Sequence, residues 1–205
     1  GIVACLTGYL LGRNGYKETI LEADSLGSHA SGFAFGGLDP LTGVGIPFPL
    51  LEFSLWCYGR HRGLARELND NTGIDVGFEF RDRLHLAFTQ EEAAESKKNI
   101  EWMKDVGGFN VEWVDTKRAI ELEPQVSSEC IGALLEQSPG ALEPYRFILA
   151  AMRAGERFGV ELLQRRATGL ITKGDRCTGV QLENGTISAG IVLLAMGPWT
   201  GLASE

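Results

Sequence analysis

The chain has 205 residues, 44% hydrophobic and 22% charged, an ordinary balance for a globular protein able to bury one core or one and a half domains. Its 27 acidic residues outnumber 19 basic ones, and the net charge of −8 argues against nucleic acid as a partner, because phosphate binding needs a basic surface. Four scattered cysteines (Cys5, Cys57, Cys130 and Cys177) form no C-x-x-C pair and have no histidine cluster nearby, so neither a metal centre nor a disulfide framework is expected.

Free thiols in a reducing cytoplasm are the simple reading of those cysteines. The longest apolar run near the end, Ile191 to Met196, is far too short to span a bilayer. The N-terminus shows no secretory leader and no initiator Met, which fits a clipped chain as well as a processed one.

The first segment, Ile2 to Gly12, carries Val3, Leu6, Leu10 and Leu11 among small residues, which predicts a helix packed closely on a sheet. Asn14-Gly15 stops it. Thr19-Ile20-Leu21 reads as a short buried strand ending in Glu22. Ser25 to Pro49, rich in Gly, Ser and Pro, predicts a long ordered loop, and loops of that length are usually functional or disordered. Leu51 to Leu68 offers a helical apolar face through Leu51, Leu55, Tyr58, Leu64 and Leu68.

Val76 to Phe88 alternates as two strands joined near Arg81-Asp82. Glu91 to Val106 predicts a charged amphipathic helix, Val111 to Val114 a strand, and Thr116 to Leu122 a short helix halted at Glu123-Pro124. Ile131 to Glu136 and a turn at Ser138-Pro139-Gly140 close this block. Pro144 to Phe158 returns to helix, with Pro144 suited to its first turn. Strands follow at Val160 to Leu163, Leu170 to Thr172, Cys177 to Leu182 and Ile187, with Asn184-Gly185 as a hairpin signal. Ile191 to Ala195 reads as a buried parallel strand running into Met196-Gly197-Pro198-Trp199.

A dinucleotide fold holds pyrophosphate on a Gly-rich turn that leads into a helix N-terminus. If Gly1 is the second glycine of G-x-G-x-x-G, Ala4 takes the third place, where Ala is allowed. The first glycine and its strand then lie upstream of residue 1. Glu22 stands about 20 residues further on at a strand end, which suits a carboxylate accepting hydrogen bonds from ribose hydroxyls. A solvated acid at a strand end is the plainer alternative.

The loop Ser28-His29-Ala30-Ser31-Gly32-Phe33-Ala34-Phe35-Gly36-Gly37 makes the pattern specific. With it the chain resembles the family of D-amino-acid oxidase, glycine oxidase and sarcosine oxidase. There a Ser-x-x-x-x-Gly loop follows the ribose-binding acid, as Ser31 through Gly36 does here. Glu121-Leu122-Glu123-Pro124, Gly140-Ala141-Leu142-Glu143-Pro144, Gly159-Val160-Glu161-Leu162 and the closing Ala195-Met196-Gly197-Pro198-Trp199 extend the resemblance over nearly the whole sequence.

The resemblance implies an α/β fold: a Rossmann-like FAD-binding domain of the GR2 type, lacking its first strand here, with an inserted α+β substrate domain. The implied parts are 1–72 and 138–205 for FAD binding and 73–137 for the insertion. Gly1, Ile2, Val3 and Ala4 would face pyrophosphate, Glu22 and Ala23 the ribose and adenosine, and Ala30, Ser31, Phe35, Gly36 and Gly37 the pyrophosphate and flavin. Ala167 falls where the family has a Val touching adenine, and Ala195 and Gly197 come back to the cofactor at the second crossing.

The implied reaction is hydride transfer to flavin from the carbon beside an amine of a small amine or amino acid. A membrane-peripheral or hetero-subunit electron acceptor is admitted. The substrate-binding Arg belongs to the family's C-terminal part, so the catalytic residues are unknown and none is assigned within this chain. On this reading the chain is cut at both ends, and alone it is expected to bind FAD weakly and to aggregate.

A 2-hydroxyacid or glycerol-phosphate dehydrogenase of the same fold, and a non-catalytic binding or regulatory subunit, stay open. A nicotinamide-only Rossmann enzyme leaves Ser31–Gly37 unexplained. His29 reads as a surface loop residue, His61 as solvated beside Arg60 and Arg62, and His85 as a cross-strand partner. Trp56, Trp102 and Trp113 read as core or interface packing, and Arg81 or Arg83 as able to bind a carboxylate.

Overall fold

The computed structural model describes residues 1–137 and 139–204, so the turn expected at 138–140 begins on a residue outside the described ones. Along the chain come α1 (Ile2–Gly12), β1 (Thr19–Glu22), β2 (Gly37–Leu38), α2 (Leu51–Thr72), β3 (Glu79–Phe80), β4 (Arg83–Ala87), α3 (Gln90–Met103) and β5 (Asn110–Val114). There follow α4 (Thr116–Leu122), β6 (Gly132–Gln137), β7 (Gly140–Ala141), α5 (Pro144–Glu156), β8 (Glu161–Gln164), β9 (Ala167–Lys173), β10 (Arg176–Leu182), β11 (Gly185–Ser188) and a 3-10 turn at Gly197–Ser204. The fold is α/β and Rossmann-like with an additional sheet-bearing unit. One compact unit holds 1–36, 63–77 and 143–205, the other 37–62 and 78–142.

In the first unit β1 pairs in parallel with β8, from Thr19 opposite Glu161 to Glu22 opposite Gln164. The α1 helix carries no charged residue, and its buried positions Cys5, Gly8, Tyr9 and Gly12 recur at helical spacing. The glycines allow a close approach. A Cβ on Gly8 would stand 2.9 Å from Ile20 Cδ1, and one on Gly12 2.7 Å from Val160 Cγ2. The α5 helix begins with Pro at its first turn, where a missing N–H costs nothing, and buries Phe147, Ile148, Ala151 and Met152. An antiparallel meander of β9, β10 and β11 completes the unit, and its β10–β11 turn sets Leu182 opposite Gly185.

Tyr9 donates to the Glu67 carboxylate, which also pairs with Arg13, and Asn71 Nδ2 donates to the Tyr9 hydroxyl at 3.2 Å. Burial and then the Glu67 carboxylate hold the Tyr9 phenol above its ordinary value.

Cys5 is completely shielded, and burial pushes its thiol up. The folded thiol therefore stays protonated where the unfolded one, with a pKa of about 8.5, has begun to ionise. Its contribution to stability is intact below that pH and is lost as pH rises through the higher folded value. Urea midpoints at pH 7.5 and 9.5 should show a larger alkaline loss in the native protein than in Cys5→Ala. Thiol reagents should reach Cys5 only on unfolding.

In the second unit β6 is the middle strand of β4-β6-β5, antiparallel on both sides. Successive residues of a strand face opposite ways. Leu134 joins Leu41, Ile100, Met103 and Val111 on the α3 side, while Ala133 and Leu135 join Val114 and Ala119 on the α4 side. Thr89 and Glu92 cap α3 reciprocally: Glu92 N donates to Thr89 Oγ1 at 3.2 Å, and Thr89 N to Glu92 Oε2 at 3.1 Å. Asp115 caps α4 by accepting from Arg118 N at 2.8 Å.

Three expectations are corrected. The strands on either side of Arg81-Asp82 form, but they serve different sheets: β3 pairs with β7, and β4 with β6. Residues 191–195 form no strand, and Ile191 is 89% exposed. A parallel strand needs a neighbour to take up its N–H and C=O groups, and β1 and β8 pair only with each other among the described residues. Trp56 is 61% exposed on α2, stacked on Phe53 and covered by the Arg60 guanidinium, which removes the core half of its core-or-interface reading. Among the described residues no helix is long and apolar enough to cross a membrane.

Candidate functional site

Gly1 precedes α1 without a side-chain cap of its own, so the first N–H groups of the helix need partners from elsewhere. Ile2 N finds one at a distant position, and a distant carboxylate meets the Gly1 terminal ammonium beside it. The Gly1 nitrogen donates to Glu22 Oε2 at 3.3 Å, and Ile2 N donates to Ser31 Oγ at 3.2 Å. A Cβ on Gly1 would stand 3.0 Å from that hydroxyl. Val3 is 57% exposed, and Ala4 half-buried. The positive end of a helix dipole, a carboxylate and a hydroxyl are thus gathered at one point, an arrangement suited to polar and anionic groups of a ligand.

The loop after β1 is built around Asp24. Its carboxylate meets His29 Nε2 at 2.7 Å and Arg166 Nη2 at 3.4 Å. The His29 bond holds the Asp24 carboxyl below its usual range, with Arg166 adding to the effect. The His29 ring stands edge-on to Trp199, centroids 5.7 Å apart, which ties the loop to the turn that opens at Gly197. Gly32 N donates to His29 O at 3.1 Å. Ser28 Oγ is shut off from solvent and has no hydrogen-bond partner among the described residues.

The structure therefore brings together Gly1, Ile2, Glu22 and Ser31. Ala23 lines a cavity of about 150 Å³ with Gln164, Arg165, Arg166, Glu183 and Asn184. Ala167 opens β9 opposite Leu182, next in the chain to Arg166. Ala30 and Phe35 are exposed, Phe35 at 90%. Gly36 has φ +82°, a conformation that favours glycine, and Gly197 has φ +57°. Ala195 is half-buried in the unpaired stretch. Gly37 belongs to the second unit, where it opens β2 opposite Ala141.

Ser28, Asp24 and Arg166 were not singled out from the sequence. An acid five residues before a loop histidine is a usable signal; the Ser28 hydroxyl carries none until its surroundings are known. His61 bonds the carbonyl of Cys57 at 2.8 Å. Arg81 pairs with Glu79 and Arg83 with Asp39, so both guanidinium groups engage carboxylates of this chain.

A family model described as FAD dependent oxidoreductase, DAO, matches residues 1–205. Glycine oxidase of Geobacillus kaustophilus (strain HTA426) is 26% identical over 200 residues, covering 97% of this chain and 53% of that protein. Sarcosine oxidase subunit beta of Arthrobacter sp is 28% identical over 153 residues, covering 71% of this chain and 38% of that protein. The crystal structure of glycine oxidase from Geobacillus kaustophilus superimposes with a TM-score of 0.91 at 25% identity, covering all of this chain and 55% of that one. The chain spans about half the length of the curated relatives it matches.

Proposed function

Because the chain belongs to the FAD dependent oxidoreductase (DAO) family, we propose that it forms the FAD-binding part of an enzyme that oxidises the CH–NH bond of an amine or amino acid. The observation that carries the reading is the meeting of Ser31, on the Ile2 amide, and Glu22, on the neighbouring Gly1 ammonium, at the start of α1. The residues fit the cofactor. Uncapped helix amides suit a pyrophosphate, a carboxylate at a strand end suits ribose hydroxyls, and the buried Ser28 hydroxyl lacks the partner that a bound polar group would supply.

In this reading Gly1, Ile2, Val3 and Ala4 present backbone amides to the pyrophosphate. Glu22 and Ala23 hold the ribose and adenosine, with Ala167 beside the adenine. Ala30, Ser31, Phe35, Gly36 and Gly37 run along the pyrophosphate and flavin, and Ala195 and Gly197 return to the cofactor. Residues 1–72 and 138–205 are the flavin-binding parts, and 73–137 the inserted substrate-domain segment. The pairing of β4, β5 and β6 with one another supports that insertion.

FAD supplies, when bound, a two-electron acceptor for the hydride that the carbon beside nitrogen gives up as the nitrogen loses its proton, leaving an imine open to hydrolysis. This chain's residues hold and orient: Glu22 fixes the ribose, Ser31 fixes the loop to α1, and the Asp24–His29–Trp199 contacts fix the loop to the second crossing. Four unpaired thiols support a reducing, cytoplasmic setting. A relative named as a beta subunit supports a partner subunit, and a hetero-subunit or membrane-peripheral electron acceptor is part of the same proposal.

The test is flavin titration of the complete protein, followed by quenching of flavin fluorescence. Glu22→Ala removes a charged acceptor worth about 1.5–3 kcal/mol per hydrogen bond, so Kd should rise about tenfold or more. An unchanged Kd sinks the assignment. Flavin bands that bleach with one member of an amine and amino-acid panel support the reaction class; bands that survive the whole panel overturn it.

A further inference from the structure

We propose that Asp39, His85 and Glu136, in the second unit, form a binding site for one divalent transition-metal cation. Each offers a ligand atom, and these atoms all lie within 4.8 Å of one another. His85 Nε2 stands 3.4 Å from Glu136 Oε2 and 3.9 Å from Asp39 Oδ2. Ligands about 2.0–2.2 Å from a shared ion sit roughly 3–3.5 Å from one another, so closure onto an ion needs only small side-chain movements.

Glu136 points to a ligand independently of that spacing. It lies on β6, the middle strand of its sheet, and its side chain is 1% exposed. Its Oε1 is buried with no hydrogen-bond partner among the described residues. A strand residue facing the apolar α3 side would ordinarily be another Leu, as Leu134 is. A carboxylate there with one oxygen unpaired is costly unless something positive meets it.

The nearby guanidinium has a carboxylate partner elsewhere. Arg83 lies opposite Glu136 in the β4–β6 register but pairs with Asp39 Oδ2, which also accepts from the Thr42 hydroxyl. A neutral imidazole presents its lone pair to a cation, and the donors around Asp39 are the outer-shell kind that orient a ligating carboxylate.

An approach exists. His85 and Leu134 line a cavity of about 260 Å³ together with Thr42, Glu92, Glu95 and Asn99. Its two glutamates draw cations and repel anions. One imidazole and two carboxylates suit Zn²⁺ or Mn²⁺, whereas Mg²⁺ and Ca²⁺ prefer all-oxygen sites.

The complete protein, stripped with a chelator, is titrated with Zn²⁺ by calorimetry and with Co²⁺ by visible absorption. The expected result is one ion per chain, with affinity at least tenfold weaker in His85→Gln and in Glu136→Gln, both of similar volume to the native residues. The Co²⁺ bands of the native protein report the site even if a variant does not fold. No saturable uptake by the native protein overturns the proposal, as does undiminished uptake in both folded variants. Equal affinity for Mg²⁺ overturns the transition-metal assignment. Nitrogen NMR showing His85 as an imidazolium that persists with Zn²⁺ present at pH 7 makes a proton the counter-charge, and also overturns it.

Discussion

Gly132→Ala is expected to lower the stability of the second unit by about 3 kcal/mol or more, because the new methyl has nowhere to go. Gly132 is buried at the start of β6 with φ +151°, and a Cβ there would stand 2.3 Å from Trp113 Cζ2 and 2.8 Å from Val114 O. The second of these is backbone of the neighbouring strand β5, so relief requires the ladder itself to part. Next to it, Cys130 Sγ donates to Gly132 O at 3.0 Å and Ile131 N to Ala87 O at 2.9 Å, fixing the chain on both sides of the glycine. Urea unfolding followed by circular dichroism measures the loss. Gly108→Ala is the internal control: φ is +93° and no atom stands within 4 Å of the added carbon, so only about 1–2 kcal/mol of backbone strain is expected. Equal losses in the two variants would remove Trp113 and Val114 as the cause.

The second large effect is on the ligand rather than on the fold. Gly32→Ala should weaken flavin binding by about tenfold or more while moving the unfolding midpoint little, a 1.4 kcal/mol effect confined to the bound state. A Cβ on Gly32 would stand 1.9 Å from Gly27 O and 2.8 Å from Gly27 C. Both are backbone atoms, so the turn from 27 to 32 must open. Opening it breaks the Gly32 N to His29 O bond and draws Ser31 Oγ away from Ile2 N. His29 and Ala30, at the tip of the turn, are exposed, so the turn can open there while the buried Gly27 stays in place. Flavin titration and thermal unfolding of the same sample separate the two effects. A variant that binds as the native protein does would show that this loop does not hold the cofactor.

Elements whose signal is local were readable from the sequence. Thr116 to Leu122 carries its own stop in Glu123-Pro124, and Asn184-Gly185 turns β10 into β11 because Gly185, at φ +105°, takes a conformation closed to most residues. Periodicity marks which face of a segment is apolar and is silent about which neighbour takes up its hydrogen bonds. That is why β3 and β4 read as joined yet serve separate sheets, and why 191–195 read as a strand without being one.

In the candidate site, Gly1 with Glu22 was readable because spacing along a βαβ unit is fixed by the lengths of helix and strand. The Asp24–Arg166 pair was not, since it joins residues far apart in sequence. Glu136 reads as a polar residue at a strand end. Only the placement of β6 between β4 and β5 makes it a buried charge.

The parallel pairing of β1 with β8 has a consequence in time. Residues 19–22 leave the ribosome well before 161–164, and at synthesis rates of about 5–20 residues per second the wait is roughly 7–28 s. Throughout it Ile20 has neither its ladder partner nor the α5 helix that follows the second unit. The strands β4, β5 and β6, between residues 83 and 137, pair among themselves and can settle as they emerge. Synthesis of this chain thus passes through a nascent state in which a finished middle hangs between an unpaired strand and the tunnel. Slowing translation lengthens that state, and a holdase that shields Ile20 and Leu21 should raise the folded yield most when translation is slow.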